Sequence, residues 1–314
     1  MDAGFSKDVY RGYMVKGDLL GAIDYVGRFP EQAELYERYK AVFEREQYVT
    51  YDVAAELNEI LMVYQRYYRD IFYLKVDKKS AEDRLRAGLA GCLGIDGGSV
   101  ELCDIEQDQV AGAFRRRGFH FMGGRTSGYH GPYIWRTTER KTYDVELPDA
   151  VQGYTVDLLD GFIARSWMDY ISFGEVGTGG WSNGDGIINC VKSVYDLDGE
   201  DFQVSLLKHE AQHARDLAMD EGMSSADLEY RAKLVELIYS SERDMLGRFA
   251  READGADESN GHASASGRIV EGFARKLGLS RAQLEGVPKE TVQAAARSLF
   301  QESGGRPASP PCRG

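Results

Sequence analysis

Residues 206–217 read LLKHEAQHARDL, and the run His209-Glu210-Ala211-Gln212-His213 within them governs the reading of the whole chain. On an α-helix, positions i and i+4 share a face one turn apart. His209 and His213 can therefore present imidazole nitrogens to a single metal ion, and zinc favours such ligands. Glu210 is one residue on, rotated by about 100° around the helix. It falls beside the metal, where a carboxylate can take a proton from an attacking water and pass it to the leaving group. Phe202, Leu206, Leu207, Leu217 and Met219 frame the run as a buried amphipathic helix. A polar face on such a helix is costly to leave without partners. The competing reading is a pair of surface histidines on an acidic helix.

Zinc of this kind needs a third protein ligand, and the next helix offers one. Gly222 can end the first helix, and Ser224 with Asp227 can open the second as a capping pair. The path runs at most ~15 Å out from His213 to the turn and ~7 Å back to Glu229. An antiparallel or crossed return brings Glu229 to the histidine pair, and Ala232 one turn on leaves room for close helix approach. Glu236, two turns beyond Glu229 on the same face, is the alternative ligand.

The sequence here resembles the gluzincin metallopeptidases, in which a His-Glu-x-x-His helix is followed by a helix supplying a Glu ligand. Glu229-Tyr230-Arg231-Ala232 also looks like the E-x-x-A ligand helix of the family that includes the CAAX prenyl endopeptidases. The resemblance spans residues 202–240. It implies His209, His213 and Glu229 as zinc ligands and Glu210 as general base. Several such families place an acidic residue four positions after the ligand Glu, whereas this chain has Lys233 there. Asp216, three residues after His213, is the candidate supporting carboxylate instead.

Outside that segment the chain changes character several times. Residues 1–94 read as a helical region, in which Tyr36, Tyr39, Phe43, Tyr64, Tyr67, Tyr68, Phe72 and Tyr73 recur at helical spacing. They suit a helix–helix core or a groove for a protein partner. From residue 95, glycines and short β-type runs appear (GFHFMG, PYIWRTT, TYDVELP, YTVDLL, GIINCVKSV), which predict a small antiparallel sheet. Residues 95–250 are expected to form the catalytic domain and 251–267 a flexible linker. Residues 268–303 read as a C-terminal helical appendage, with Ser280 and Gln283 at capping-box spacing, and 304–314 as a disordered tail.

Peptide-bond hydrolysis also needs a donor for the developing oxyanion, usually His, Tyr or Arg. Tyr129 and His130 in the glycine-rich loop GGRTSGYHGPY, with His120 and Tyr239, are the candidates. Residues 186–194 are the candidate strand for holding an extended substrate by β-augmentation. Trp181 is a candidate rim residue.

The totals limit the alternatives. The 314 residues are 43% hydrophobic, a globular composition, and the net charge of −13 argues against a nucleic-acid binder or an anionic membrane partner. No stretch approaches a membrane span, and no secretory signal is evident, so a cytoplasmic location is expected. The four cysteines form no CxxC pair, which argues against a cysteine zinc site. The expectation is an α+β zincin-like metallohydrolase behind a helical N-terminal region, binding Zn2+ and cleaving a peptide or protein substrate. A binding protein with a structural or degenerate zinc site and a metal-dependent amidase are the alternatives.

Overall fold

Aromatic side chains spaced every three to four residues pull the first hundred residues into packed helices. The computed structural model describes residues 4–98, 100–182, 186–242, 244–254 and 261–304. They form two compact units: residues 1–137 with 159–178, and residues 138–158 with 179–314. This division differs from the expected one, because residues 95–137 and 159–178 belong with the N-terminal helices. The architecture is mixed helix and small antiparallel sheets, in keeping with α+β.

In the first unit, helices Lys7–Val15, Leu19–Val26, Ala33–Tyr39, Ala55–Tyr68 and Lys78–Leu93 carry the aromatic residues inward. Asp18 and Asp77 cap two of them by accepting hydrogen bonds from Gly21 N and Ser80 N. Tyr39, Tyr64, Tyr67, Tyr68, Phe43 and Phe72 are buried, and Tyr36 and Tyr73 are half-buried, so most of the aromatic stripe is core. Buried phenols need polar partners. Tyr39 donates to Ile171 O at 3.0 Å, and Tyr64 donates to Glu106 Oε1 at 2.8 Å. A further helical stretch over 102–116 lies where sequence patterning suggested sheet, held by buried Ile105, Val110 and Phe114. Strands His120–Met122, Tyr133–Trp135 and Ala164–Arg165 make one antiparallel sheet, and Arg125–Thr126 pairs with Tyr129–His130.

The second unit has a four-stranded sheet in the order Thr137–Glu146, Val151–Asp160, Ile187–Val191, Gly180–Ser182. The strand at 187–191 is therefore flanked on both sides, and the edge is Gly180–Ser182. This corrects the expectation that residues 186–194 offer a free edge: a short return strand covers it.

Helix Ser225–Tyr239 is the centre of this unit, with Leu234 and Val235 fully buried. Each such burial is worth about 1.5–3 kcal/mol. Helices His209–Met219, Gly261–Leu277 and Lys289–Gly304 pack around it. Two expectations are corrected here. Residues 251–254 and 261–267 end one helix, Met245–Asp254, and begin another, Gly261–Leu277, so they are not linker. Residues 268–303 are not an appendage, because Ile269, Phe273, Ala296 and Phe300 complete the same core as Leu234. Their apolar spacing outweighs the local Gly and Ser content. The capping box of Ser280 with Gln283 is present, and residues 305–314 of the expected tail lie outside the described residues.

Candidate metal centre

The helix bearing the HEAQH run does not begin at an ordinary cap. A π-helical stretch, Asp201–Lys208, leads straight into His209–Met219. Phe202, Leu206 and Leu207 of that stretch are buried and anchor it, as expected, while Met219 at its far end is 69% exposed and anchors nothing. The helix ends at Met219, and the return helix starts where Ser224 caps it. Ser224 Oγ accepts from Asp227 N at 3.1 Å and donates to Asp227 Oδ2 at 2.7 Å.

That return brings Glu229 to the histidines. His209, His213 and Glu229 each offer one ligand atom, and these atoms lie within 4.8 Å of one another. Glu229 Oε2 is 3.5 Å from His209 Nε2, and Glu229 Oε1 is 3.8 Å from His213 Nε2. The two imidazole rings stand 4.6 Å apart at 63°. Glu210 sits to the side, its Oε2 3.8 Å from His213 Nδ1. His209 and Glu229 are buried, and His213 and Glu210 are half-buried. Two imidazoles and one carboxylate form a donor set that suits zinc.

Glu236 faces His209 from the other side. His209 Nδ1 donates to Glu236 Oε1 at 2.7 Å, which turns Nε2 toward Glu229. A carboxylate on the distal nitrogen fixes the tautomer and ring orientation of a ligating histidine. Burial works against a charged His209, but Glu229 and Glu236 outweigh it, and the imidazole is pushed up to about 10.

Asp216, expected to support a histidine, instead accepts from Arg231 Nε at 2.8 Å and from Gln212 Nε2 at 2.8 Å. Arg231 also donates to Ser303 Oγ at 2.8 Å and lies over the Phe300 ring, tying the C-terminal helix to the site helices. Lys233 is engaged by Glu252 at 2.8 Å. Tyr239 bonds Glu146 Oε1 at 3.5 Å with Lys208 over its ring.

Tyr129 and His130 belong to the first unit and to a different cluster. His130 is buried, with Nδ1 2.8 Å from Glu106 Oε2, and Tyr129 packs edge-on to Phe72 and Trp167. His120, also in that unit, stacks on Trp135. Among the tryptophans, Trp167 is core and Trp181 is half-buried in the edge strand.

The residue that sequence reasoning passed over is Tyr195. It follows the strand Ile187–Val191 and packs its ring edge-on to Phe202. Its hydroxyl lies against Gly179, where an added Cβ would stand 2.4 Å from it. Burial first, with a smaller contribution from the charge of Glu210, pushes its phenol up to about 12, so it keeps its proton at neutral pH. Next to Gly179, Gly180 lets the edge strand close on the helix, since a Cβ there would meet Leu206 Cδ1 at 2.6 Å. Nothing in the local sequence of Tyr195 distinguishes it; its place is set by Gly179 and Phe202.

Compared with known proteins, the chain matches no family model, no curated protein and no solved structure.

Proposed function

We propose that this chain is a zinc-dependent hydrolase of zincin-like build, cleaving peptide bonds. The observation that carries the reading is the convergence of His209, His213 and Glu229, from two successive helices, with their ligand atoms within 4.8 Å. His209 and His213 through Nε2, and Glu229 through a carboxylate oxygen, would hold the ion. What zinc supplies when held there is Lewis acidity, which polarises a carbonyl oxygen and acidifies water.

The chain's own groups supply the rest. Glu210 takes the proton of the attacking water and returns it to the departing amine. Glu236 keeps His209 in the orientation that faces Glu229. Tyr195, whose ring packs on Phe202 in the lead-in to the zinc helix, is the group offered as donor to the developing oxyanion. The edge strand Gly180–Ser182 packs against the His209–Met219 helix and is the strand available to an extended substrate. Among the described residues no helix is long and apolar enough to cross a membrane.

The test is metal analysis of the purified chain beside Glu210→Gln and His213→Ala, with turnover of a peptide library. One zinc per chain, lost in His213→Ala and kept in Glu210→Gln, with cleavage abolished in both, is expected. Wild-type protein that takes up no zinc overturns the reading. Zinc with no cleavage of any peptide leaves a structural zinc site and removes the hydrolase.

A further inference from the structure

The first unit holds a cleft of about 270 Å³ between helices Ala55–Tyr68 and Lys78–Leu93. Three arginines converge on it from three places: Arg66 on the first helix, Arg69 on the turn that continues it, and Arg84 on the second helix. Two carboxylates, Glu46 and Asp70, also line it. The chain as a whole carries 51 acidic residues against 38 Lys and Arg. A cleft with three guanidinia and two carboxylates reverses that balance locally, and a concave wall concentrates its field.

The three arginines are not equivalent. Arg69 is fixed, its Nε donating to Phe43 O at 2.7 Å and its NH2 3.3 Å from Glu46. Arg84 NH1 lies 3.1 Å from Asp70, with its side chain 62% exposed. Arg66 has no carboxylate within ion-pair distance among the described residues; its NH2 meets only the Met62 sulfur at 3.4 Å, a weak acceptor one turn back. A guanidinium at a cleft wall with its donors directed at no oxygen is suited to an incoming oxyanion, which it grips through two parallel N–H bonds. The remaining lining is apolar and aromatic. Val63 and Leu85 come from facing helices, and Gly88 sits so close to Val63 that an added Cβ would stand 2.7 Å from its Cγ1. Tyr48 and Tyr67 complete the lining.

We propose that this cleft binds a small organic oxyanion, a phosphate or carboxylate on an apolar body, with Arg66 and Arg84 gripping the anion and Tyr48, beside Val63 and Gly88, receiving the body. The volume is just below the ~300 Å³ lower end for small-molecule sites, which limits the ligand to a compact one. The site lies wholly in the first unit and does not rest on the zinc reading.

The probes are phenyl phosphate and benzoate, with benzyl alcohol as the neutral counterpart, titrated calorimetrically into the full chain at fixed ionic strength. Saturable binding of at least one anion is expected. Arg66→Gln and Arg84→Gln should each weaken it about tenfold, and Arg66→Lys should weaken it less, because it keeps the charge and loses only the fork. Arg28→Gln, an exposed arginine outside the cleft, should change nothing. Circular dichroism confirms that each variant is folded, and Arg66→Lys carries the test if a Gln variant is not. Phenyl phosphate alone binding makes the ligand a phosphate, and benzoate alone makes it a carboxylate. Neither anion binding at up to about 10 mM, benzyl alcohol binding as tightly, or unchanged affinity in the arginine variants overturns the proposal.

Discussion

Glu236 Oε1 accepts a hydrogen bond from His209 Nδ1 at 2.7 Å, while Glu229, two turns earlier on the same helix, faces His209 Nε2 at 3.5 Å. One helix thus presents a candidate ligand and its neighbour's support from a single face. Glu236→Gln keeps the size but weakens the acceptor. Zinc affinity is expected to fall about 10- to 100-fold, read by competition with a chromophoric chelator. Affinity unchanged would remove Glu236 from the site.

The same pair of carboxylates sets a pH dependence. In the metal-free protein His209 is pushed up from 6.5 to about 10, so it is an imidazolium at neutral pH. A raised folded pKa stabilises the fold fully below about 6.5, and that contribution is lost as pH rises toward 10. Zinc requires the neutral ring, so its uptake near pH 8 should release about one proton from His209. Calorimetry in buffers of different ionisation enthalpy measures that number, and zero protons would contradict the assignment.

Tyr195→Phe removes one hydroxyl and nothing from the candidate ligand set. It should lower kcat by about 10² with zinc content unchanged, the usual cost of one oxyanion donor. A fall in zinc content, or an unaltered kcat, would exclude the donor role.

Asp216 and Arg231 are buried against one another at 2.8 Å. Arg231→Met leaves a buried carboxylate facing no cation, and a loss of about 3–5 kcal/mol is expected, measured by urea unfolding. Asp216→Asn should also destabilise the fold while leaving zinc affinity intact. That outcome separates a structural carboxylate from one that supports a histidine.

The three thiols among the described residues should react in a set order. Burial pushes Cys190 up to about 12, whereas Cys92 and Cys103 are exposed. Iodoacetamide at neutral pH should label Cys92 and Cys103 of the folded chain and spare Cys190 until denaturant is added. Mass spectrometry of the digests reads this directly.

How much of this was legible in the sequence depends on how local the cause is. His209, Glu210 and His213 follow from helical periodicity, and Ser224 with Asp227 from capping chemistry, so both were readable. The convergence of Glu229 on the histidines was inferable from lengths along two helices. Glu229 was preferred to Glu236 as the ligand, but both lie on one face, and the angle between the helices, which sequence does not carry, sets which of them faces Nε2. Tyr195 was invisible for a similar reason, since its packing on Phe202 and against Gly179 is set by tertiary contacts and not by local pattern. The division into two units was also hidden, because two of the three crossings between them, at 137–138 and 158–159, fall within continuous strands.

The π-helical stretch Asp201–Lys208 has a further consequence, for how this segment can change over time. A wide turn of this kind holds a surplus residue that an α-helix would not need. Deleting one residue there would close the wide turn to an α-helical one and keep Phe202 in phase with His209, whereas the same loss in a regular α-helix would turn one against the other by about 100°. The lead-in is therefore a point of slack, where a single-codon loss would be absorbed with the hydrophobic anchor and the histidine face still aligned.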